Sequence, residues 1–227
     1  MQNISIVLER LTSDHPQRPS LTAQLVECYR EVFADAPWNE WMKCPQCQKY
    51  WGRKDAGILA HQLFRCCDVP LIDFWARDQV ATDFKISLED ECSLCWLAMD
   101  GEKVIGFCLG KMKVAHDLEK ELGISFAEKF DFITEHGPVA YQDELGVLSA
   151  YRGCKIAKAL FVRRLDDFLL LARKVSIVRT RQFPEPSQTF QWYTQKLGYK
   201  ILATYPGDDG RVILGRPLAG LKELLSK

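Results

Sequence analysis

The chain has 227 residues, of which 47% are hydrophobic and 26% charged, enough apolar material for one large core. Its 30 Lys and Arg residues balance its 30 Asp and Glu residues, whereas a nucleic-acid-binding protein would usually carry a basic excess. Nine cysteines without a secretory signal pattern indicate a reducing compartment, and no apolar run approaches the ~20 residues that span a bilayer. We therefore expect a soluble cytoplasmic protein with neither nucleic acid nor membrane as its partner.

The N-terminal part of the chain predicts a strand followed by a helix. Ile4 to Leu11 is apolar and short, as in a strand, and a polar turn follows it. Apolar residues then recur from Leu21 to Val32 at helical spacing. This helix is expected to end near Ala36-Pro37, because proline cannot continue a helix.

Residues 37–70 differ from the rest of the chain and are interpreted as an insertion. The segment is rich in tryptophan and holds five potential metal ligands, namely Cys44, Cys47, His61, Cys66 and Cys67. A Cys-x-x-Cys turn can place two thiolates on one tetrahedral ion, and a later His and Cys can complete the site. We expect a structural zinc held by Cys44, Cys47, His61 and one of Cys66 or Cys67. The alternative is a compact insertion with reduced cysteines and an exposed histidine.

The middle of the chain predicts a helix, a hairpin and a long connection. The expected elements are a helix over residues 71–84, strands over 92–99 and 104–112, and a mostly helical segment over 114–137. Cys92 and Cys95 lie three apart on the first strand, so their side chains point to opposite faces. They are interpreted as core residues, with Cys92 as a reserve zinc ligand. The long segment is expected to overhang a substrate cleft.

A strand, a tight turn and a helix follow one another between Tyr141 and Ala172. The strand is expected to run to Leu148 and the helix to begin near Lys155. The helix is amphipathic, and its charged residues, predicted to lie outside the buried face, are Arg163, Arg164, Asp166, Asp167 and Arg173. The unpaired N–H groups at the start of such a helix and its positive dipole end can bind phosphate. Arg152 and Gly153 in the turn suit such a ligand.

Two stretches carry a family resemblance. The sequence Ser-Ala-Tyr-Arg-Gly-Cys-Lys-Ile-Ala at residues 149–157 resembles motif A of the GNAT superfamily of acetyl-CoA-dependent N-acetyltransferases, with Lys155 at the position of an internal glycine and Ser149 where proline is common. Residues 190–199, Phe-Gln-Trp-Tyr-Thr-Gln-Lys-Leu-Gly-Tyr, resemble motif B of the same family. The two motifs occur in the family's order and spacing.

The resemblance implies the fold class. It predicts an α/β (α+β) protein with a mixed, mostly antiparallel central sheet and helices on both faces. Residues 1–227 would then form a single GNAT domain that contains the insertion at 37–70. Strands at 175–180, 200–205 and 211–215, the last two around an Asp209-Gly210 turn, agree with this expectation.

The resemblance also implies where acetyl-CoA binds. The main chain of Val147 and Ser149 would hold the pantetheine arm, and the turn from Arg152 onward would meet the pyrophosphate. The full set of expected coenzyme-binding residues is Val147, Leu148, Ser149, Arg152, Gly153, Cys154, Lys155, Ile156, Ala157 and Lys158. Acetyl-CoA is the expected cosubstrate, and zinc the expected structural metal.

Acetyl transfer to an amine requires a base for the amine and a proton for the leaving thiolate. Glu144, on the strand before the turn, is the candidate base, with Asp143 and Tyr141 as alternatives. The tyrosine that the family usually has in motif B is replaced by Thr194, so its neighbour Tyr193 is the candidate acid. Water or the departing amine proton could serve instead.

The acceptor is expected to be a primary amine on a small molecule or a peptide, and no residue cluster narrows this choice. The oligomeric state is not predicted. A second hypothesis is a catalytically weak acyl-CoA-binding or adaptor protein whose zinc insertion docks a partner. Lys155 and Thr194 would then mark lost catalysis.

Overall fold

The computed structural model describes residues 6–55, 65–134, 137–182, 188–207 and 210–226. The helices are α1 (Arg18–Ala34), α2 (Arg77–Glu89), α3 (Ala115–Leu122), α4 (Ile156–Leu170), α5 (Gln188–Gln191) and α6 (Leu221–Ser226). The strands are β1 (Ile6–Arg10), β2 (Met42–Lys43), β3 (Tyr50–Trp51), β4 (Arg65–Cys66), β5 (Val69–Pro70), β6 (Ile72–Asp73), β7 (Ser93–Asp100), β8 (Lys103–Val114), β9 (Pro138–Val147), β10 (Val175–Arg181), β11 (Lys200–Thr204) and β12 (Arg211–Pro217). Helix α5 continues into a π-helical turn at Trp192–Lys196.

Seven strands form the main sheet, in the order β1-β7-β8-β9-β10-β12-β11. Strand β10 is parallel to β9 and antiparallel to β12, and β11 is antiparallel to β12. The sheet is therefore mixed and mostly antiparallel, which confirms the predicted fold class. None of the helices in the described residues is both long enough and apolar enough to cross a lipid bilayer.

The chain forms two compact units that interleave along the sequence. The first comprises residues 1–91, 97–107 and 146–157, and the second comprises residues 92–96, 108–145 and 158–227. In the first unit, Tyr29 of α1 makes edge contacts with Trp75 at 5.4 Å and Phe84 at 5.3 Å between ring centroids. Aromatic rings thus join α1 to α2 and fill this core.

The second unit has a hydrophobic cluster on each face of its strands. Ala140 and Val178 pack with Phe161 and Phe168 of α4, whereas their sequence neighbours Tyr141 and Ile177 belong to the cluster that contains α3. This alternation follows from the two-residue period of a strand, which sends successive side chains to opposite faces. Helices therefore cover both faces of these strands.

Two predicted helices differ from the structure. The segment 71–84 is helical only from Arg77, because Ile72–Asp73 pairs with β2, and the helix continues to Glu89. Within residues 114–137, α3 is the only α-helix in the part that the structure describes, and it ends at Leu122. Gly123 adopts a left-handed φ of 67° and donates its N–H to the helix carbonyls, which caps α3. The chain beyond it is mostly irregular and is buried through residues such as Phe126.

Two charged residues of α4 are buried, although the sequence pattern predicts them outside the apolar face. Arg164 is 1% exposed and Asp167 is 7% exposed. Asp167 accepts a hydrogen bond from the indole N–H of Trp96 at 2.8 Å. The burial of Arg164 depends on acceptors supplied by β8 and β9, which amphipathic spacing alone does not reveal.

Candidate active site

Strands β9 and β10 separate halfway along β9. Their parallel register runs from Val139↔Val175 to Gln142↔Val178, and beyond it the described residues of the two strands do not pair with each other. Strand β9 nevertheless continues to Val147 and β10 to Arg181. The β9 edge that faces β10 therefore has backbone groups outside that ladder, and such groups need other partners. A ligand that lies along the strand can supply them.

Gly146 lies on this separated part of β9 and has no room for a side chain. A Cβ at this position would lie 2.6 Å from Cζ of Phe107 and 2.9 Å from Cγ1 of Val32. The backbone at Gly146, which belongs to the first unit, therefore packs directly against apolar side chains of that unit. This packing fixes the segment that leads into the turn.

The turn after β9 has an unusual backbone. Ser149–Tyr151 forms a short 3₁₀ turn, and Gly153 and Lys155 both have positive φ values, 85° and 62°. Helix α4 begins at Ile156, and the N–H groups of its first turn lack partners within the helix. An imaginary Cβ on Gly153 would meet no atom within 4 Å, so the turn is open on that side. A helix N-terminus with this kind of open turn before it can bind an anion.

Arg152 ties the turn to its surroundings. Its Nε donates to the carbonyl oxygen of Val147 at 3.2 Å, and its Nη1 donates to that of Ala36 at 3.1 Å. The sequence suggests Arg152 as a cation for phosphate, and in the structure its side chain also joins the turn to two main-chain carbonyl oxygens. Tyr151 adds a second brace by donating to Asp100 Oδ2 at 2.8 Å, a bond that raises the pKa of Tyr151.

The three candidate bases occupy different environments. Tyr141 is 2% exposed, and burial raises the pKa of its hydroxyl, with Asp143 adding to the effect. Asp143 forms an ion pair with Lys111, with 3.2 Å between Oδ2 and Nζ. Glu144 is half-buried, and its carboxylate acts electrostatically on Tyr141 and Arg179. Glu144 is thus a carboxylate on the separated part of β9, and its charge raises the pKa of Arg179 on β10.

The candidate acid lies in the interior. Tyr193 is 2% exposed, and its hydroxyl donates to Oε1 of Gln142 at 3.0 Å. Burial raises the pKa of Tyr193 to about 12. The hydroxyl of Thr194 donates to the Phe190 carbonyl of its own helix at 2.8 Å. The environment of Tyr193 argues against the role that the sequence suggests, because a buried hydroxyl with its proton in a hydrogen bond is poorly placed to protonate a thiolate.

Two hairpins bring four cysteines together in the insertion. The turn between β2 and β3 carries Cys44 and Cys47, and the turn between β4 and β5 begins at Cys66. Cys67 and Asp68 in the second turn both have positive φ values, 52° and 59°, as a type I′ turn requires. Each hairpin therefore contributes a pair of thiols to one place.

The four sulfur atoms fit a tetrahedral metal site. The Sγ atoms of Cys44, Cys47, Cys66 and Cys67 all lie within 4.8 Å of one another. Cys66 Sγ lies 3.6 Å from Cys47 Sγ and 3.8 Å from Cys67 Sγ. Zinc–sulfur bonds of about 2.3 Å in a tetrahedron place sulfurs about 3.8 Å apart. The N–H of Lys49 lowers the pKa of Cys47 to about 7, which favours a thiolate ligand.

The cluster differs from the ligand set that the sequence suggests. Both Cys66 and Cys67 belong to it, whereas the spacing predicts only one of them. His61 lies outside the described residues. Cys92 is not a member of the cluster. The sequence alone does not show that both adjacent cysteines direct their sulfur atoms to the cluster, because this depends on the backbone of the hairpin.

The acetyltransferase (GNAT) family model matches residues 38–171, more than half of the chain, and the chain belongs to this family. No curated protein sequence matches it. The structure is similar to PaiA N-acetyltransferase from Thermoplasma acidophilum in complex with coenzyme A, with 14% identity over 94% of this chain and 99% of that chain and a TM-score of 0.54. NAA60 from Arabidopsis thaliana in complex with acetyl-CoA gives 14% identity, coverages of 94% and 98% and a TM-score of 0.53. Aminoglycoside 6'-acetyltransferase type Ii is similar with 13% identity, over 93% of this chain and 97% of that chain, and a TM-score of 0.53.

The left-handed backbone at Lys155 makes a stability prediction. A residue with a side chain costs roughly 1–2 kcal/mol in this conformation, which glycine adopts freely. We expect Lys155→Gly to be more stable than Lys155→Ala, by about 1 kcal/mol, in urea unfolding. The matched control is Lys158, which lies in the ordinary helical backbone of α4. There the order should reverse, with Lys158→Gly about 1 kcal/mol less stable than Lys158→Ala. A Lys155→Gly protein less stable than Lys155→Ala would contradict the backbone described.

Proposed function

We propose that this protein transfers the acetyl group of acetyl-CoA to a primary amine of a small molecule or a peptide by direct attack of the amine on the thioester. The observation that carries the proposal is the end of the β9–β10 ladder at Gln142↔Val178, beyond which β9 continues to the open turn at Ser149–Tyr151. Membership of the GNAT acetyltransferase family supports it. The proposed acceptor classes are supported by structurally similar proteins, among them a NatC complex bound to Gag peptide and an aminoglycoside 6'-acetyltransferase.

The coenzyme is proposed to bind along one continuous strand, turn and helix. Main-chain groups of Val147 and Ser149 would pair with the amides of the pantetheine arm, as a neighbouring strand would. The N–H groups from Gly153 to Ala157 and the helix dipole would hold the pyrophosphate, with the side chains of Lys155 and Lys158 adding positive charge. Leu148, Cys154 and Ile156 complete the proposed segment.

Glu144 is proposed to remove a proton from the acceptor amine, directly or through water. The neutral nitrogen then attacks the thioester carbonyl carbon, the carbon–sulfur bond breaks, and the sulfur leaves as a thiolate. Backbone N–H groups of the separated strand can stabilise the negative charge on the carbonyl oxygen. Because Tyr193 is buried, we propose that the thiolate takes its proton from the amine or from water, and that Tyr193 has a structural role.

The insertion is proposed to hold one structural zinc ion through the thiolates of Cys44, Cys47, Cys66 and Cys67. Its strands have only two residues each, so they bury little apolar surface of their own. Four protein ligands would leave no open position, which favours a structural role over a catalytic one.

An acyl-CoA-binding protein without efficient turnover is the second candidate. One observation favours it. The hydroxyl of Tyr193 donates to Gln142 in the interior and that of Thr194 donates to the Phe190 carbonyl, so neither proton is directed at a thiolate. Steady-state transfer from acetyl-CoA to a panel of polyamines, aminoglycosides and peptides separates the two. Transfer to any of them supports the enzyme, and saturable acetyl-CoA binding without transfer supports the binder.

Replacement of the proposed base tests the mechanism. Glu144→Gln should lower kcat by about 10²–10⁴-fold and remove the fall in rate at low pH, because no carboxylate then needs to lose its proton. Asp143→Asn is the matched control, since this neighbouring carboxylate is already paired with Lys111. Its pH–rate profile should keep the shape of the unmodified enzyme. A retained low-pH fall in Glu144→Gln, with loss of that fall in Asp143→Asn, would transfer the role to Asp143.

Metal analysis tests the proposed zinc site. Protein purified under reducing conditions should contain about one zinc per chain, and Cys44→Ser and Cys67→Ser should each lose most of it. Cys92→Ser is the control and should retain the metal. His61→Ala should also retain it, because four cysteines already complete the tetrahedron. Protein that lacks zinc before any substitution, or that loses zinc in His61→Ala, would contradict the four-cysteine site.

A further inference from the structure

Arg164 reaches from α4 into the sheet at the point where β9 leaves β10. Its side chain is 1% exposed and crosses Gly110, where an added Cβ would lie 2.9 Å from Arg164 Cδ. Burying a guanidinium is expensive unless its donors meet well-placed acceptors. Apolar packing alone is therefore a poor reason for an arginine at this position.

The acceptors of Arg164 belong to β8 and β9. Its Nη1 donates to the carbonyl oxygen of Glu144 at 2.9 Å and also to that of Leu109, and its Nη2 donates to Oε1 of Gln142 at 2.7 Å. Glu144 lies two residues beyond Gln142, the last residue of β9 that pairs with β10. The guanidinium thus fixes the main chain of β9 immediately after the strands separate.

The side chain of Gln142 is itself held in place. Its Nε2 donates to Ser176 Oγ at 2.5 Å and to the Tyr199 hydroxyl at 2.6 Å, and its Oε1 also accepts from Tyr193. Both amide protons are used, so the amide presents its oxygen to Arg164. The network connects β10, through Ser176, to the last paired residue of β9.

We propose that Arg164 is a positioning residue that sets the orientation of Glu144 towards the acceptor amine. It acts on the main-chain carbonyl of Glu144 and touches no substrate. The inference rests on the proposed function, in which Glu144 is the base. The proton transfer requires a heavy-atom distance close to 3 Å, so a small shift of the β9 main chain is enough to slow it.

A double-mutant cycle tests this role. Arg164→Met removes every donor but keeps an unbranched side chain, and it should lower kcat by about 10–100-fold while leaving the acetyl-CoA dissociation constant within about threefold. In the Glu144→Gln background the same substitution should change kcat by less than about threefold, because the group that it positions is already gone. Arg164→Lys, which keeps donors, should recover part of the lost activity.

Phe168→Leu is the matched control. Phe168 lies one turn further along α4 and would also meet a Cβ at Gly110, but it donates no hydrogen bond. This variant should lower Tm, as Arg164→Met does, with kcat unchanged well below Tm. If Arg164→Met lowers kcat equally with and without Glu144, or lowers Tm alone, the positioning role is overturned.

Amide hydrogen exchange separates this inference from the proposed function. Arg164→Met should speed exchange at residues 143–145 by at least about tenfold relative to Phe168→Leu, because the main chain of β9 loses its brace. If the unmodified protein acetylates none of the amines, the proposed function fails and exchange alone decides whether Arg164 fixes this strand. Unchanged exchange at 143–145 overturns the inference in either case.

Discussion

The separation of β9 from β10 after the Gln142↔Val178 pair is the constraint on which the site depends. Backbone groups in a sheet interior must have partners, so two parallel strands that part need substitutes for the lost ladder. The guanidinium of Arg164 bonds the carbonyl oxygen of Glu144, two residues beyond the last pair, and also that of Leu109 on strand β8. Along the opened edge a ligand can do the same. The strand then enters a turn whose helix N-terminus also has unpaired N–H groups, so one continuous segment offers two kinds of partner to a long, phosphate-bearing coenzyme.

The described part of residues 37–70, the segment predicted to be an insertion, has strands of only two residues. Aromatic rings and cations contact one another around these strands. The ring of Trp41 has the Arg30 guanidinium at 5.7 Å and that of Arg53 at 5.1 Å. Arg30 of α1 also bonds Asp73 at 2.7 Å and the Trp75 carbonyl at 2.8 Å. Arg30 thus links α1 to Trp41, Asp73 and Trp75. Ala36, which precedes this segment, accepts a hydrogen bond from Arg152 in the turn.

Local patterns predicted the strand, turn and helix around Arg152, because alternation and helical spacing report which face is buried, whereas the fold class was predicted from the family resemblance of residues 149–157 and 190–199. Local patterns did not predict the features that depend on contacts between residues far apart in the chain. Arg164 lies four residues before Phe168, at the edge of the apolar face, but its charge predicts exposure, and the carbonyls of Leu109 and Glu144 explain its burial. The buried network around Gln142 joins residues far apart in the chain and has no local signature. Gly123, by contrast, was a visible stop signal within the segment predicted to be helical.

The central claim is that the main chain from Val147 to Ala157 holds the coenzyme. Titration of ¹⁵N-labelled protein with coenzyme A, followed by amide NMR, tests it residue by residue. We expect saturable shifts that are largest at the amides of 147–149 and 153–157, with much smaller shifts at 153–157 from pantetheine, which lacks the pyrophosphate. Saturable shifts confined to other elements, or none at millimolar coenzyme A, would contradict it.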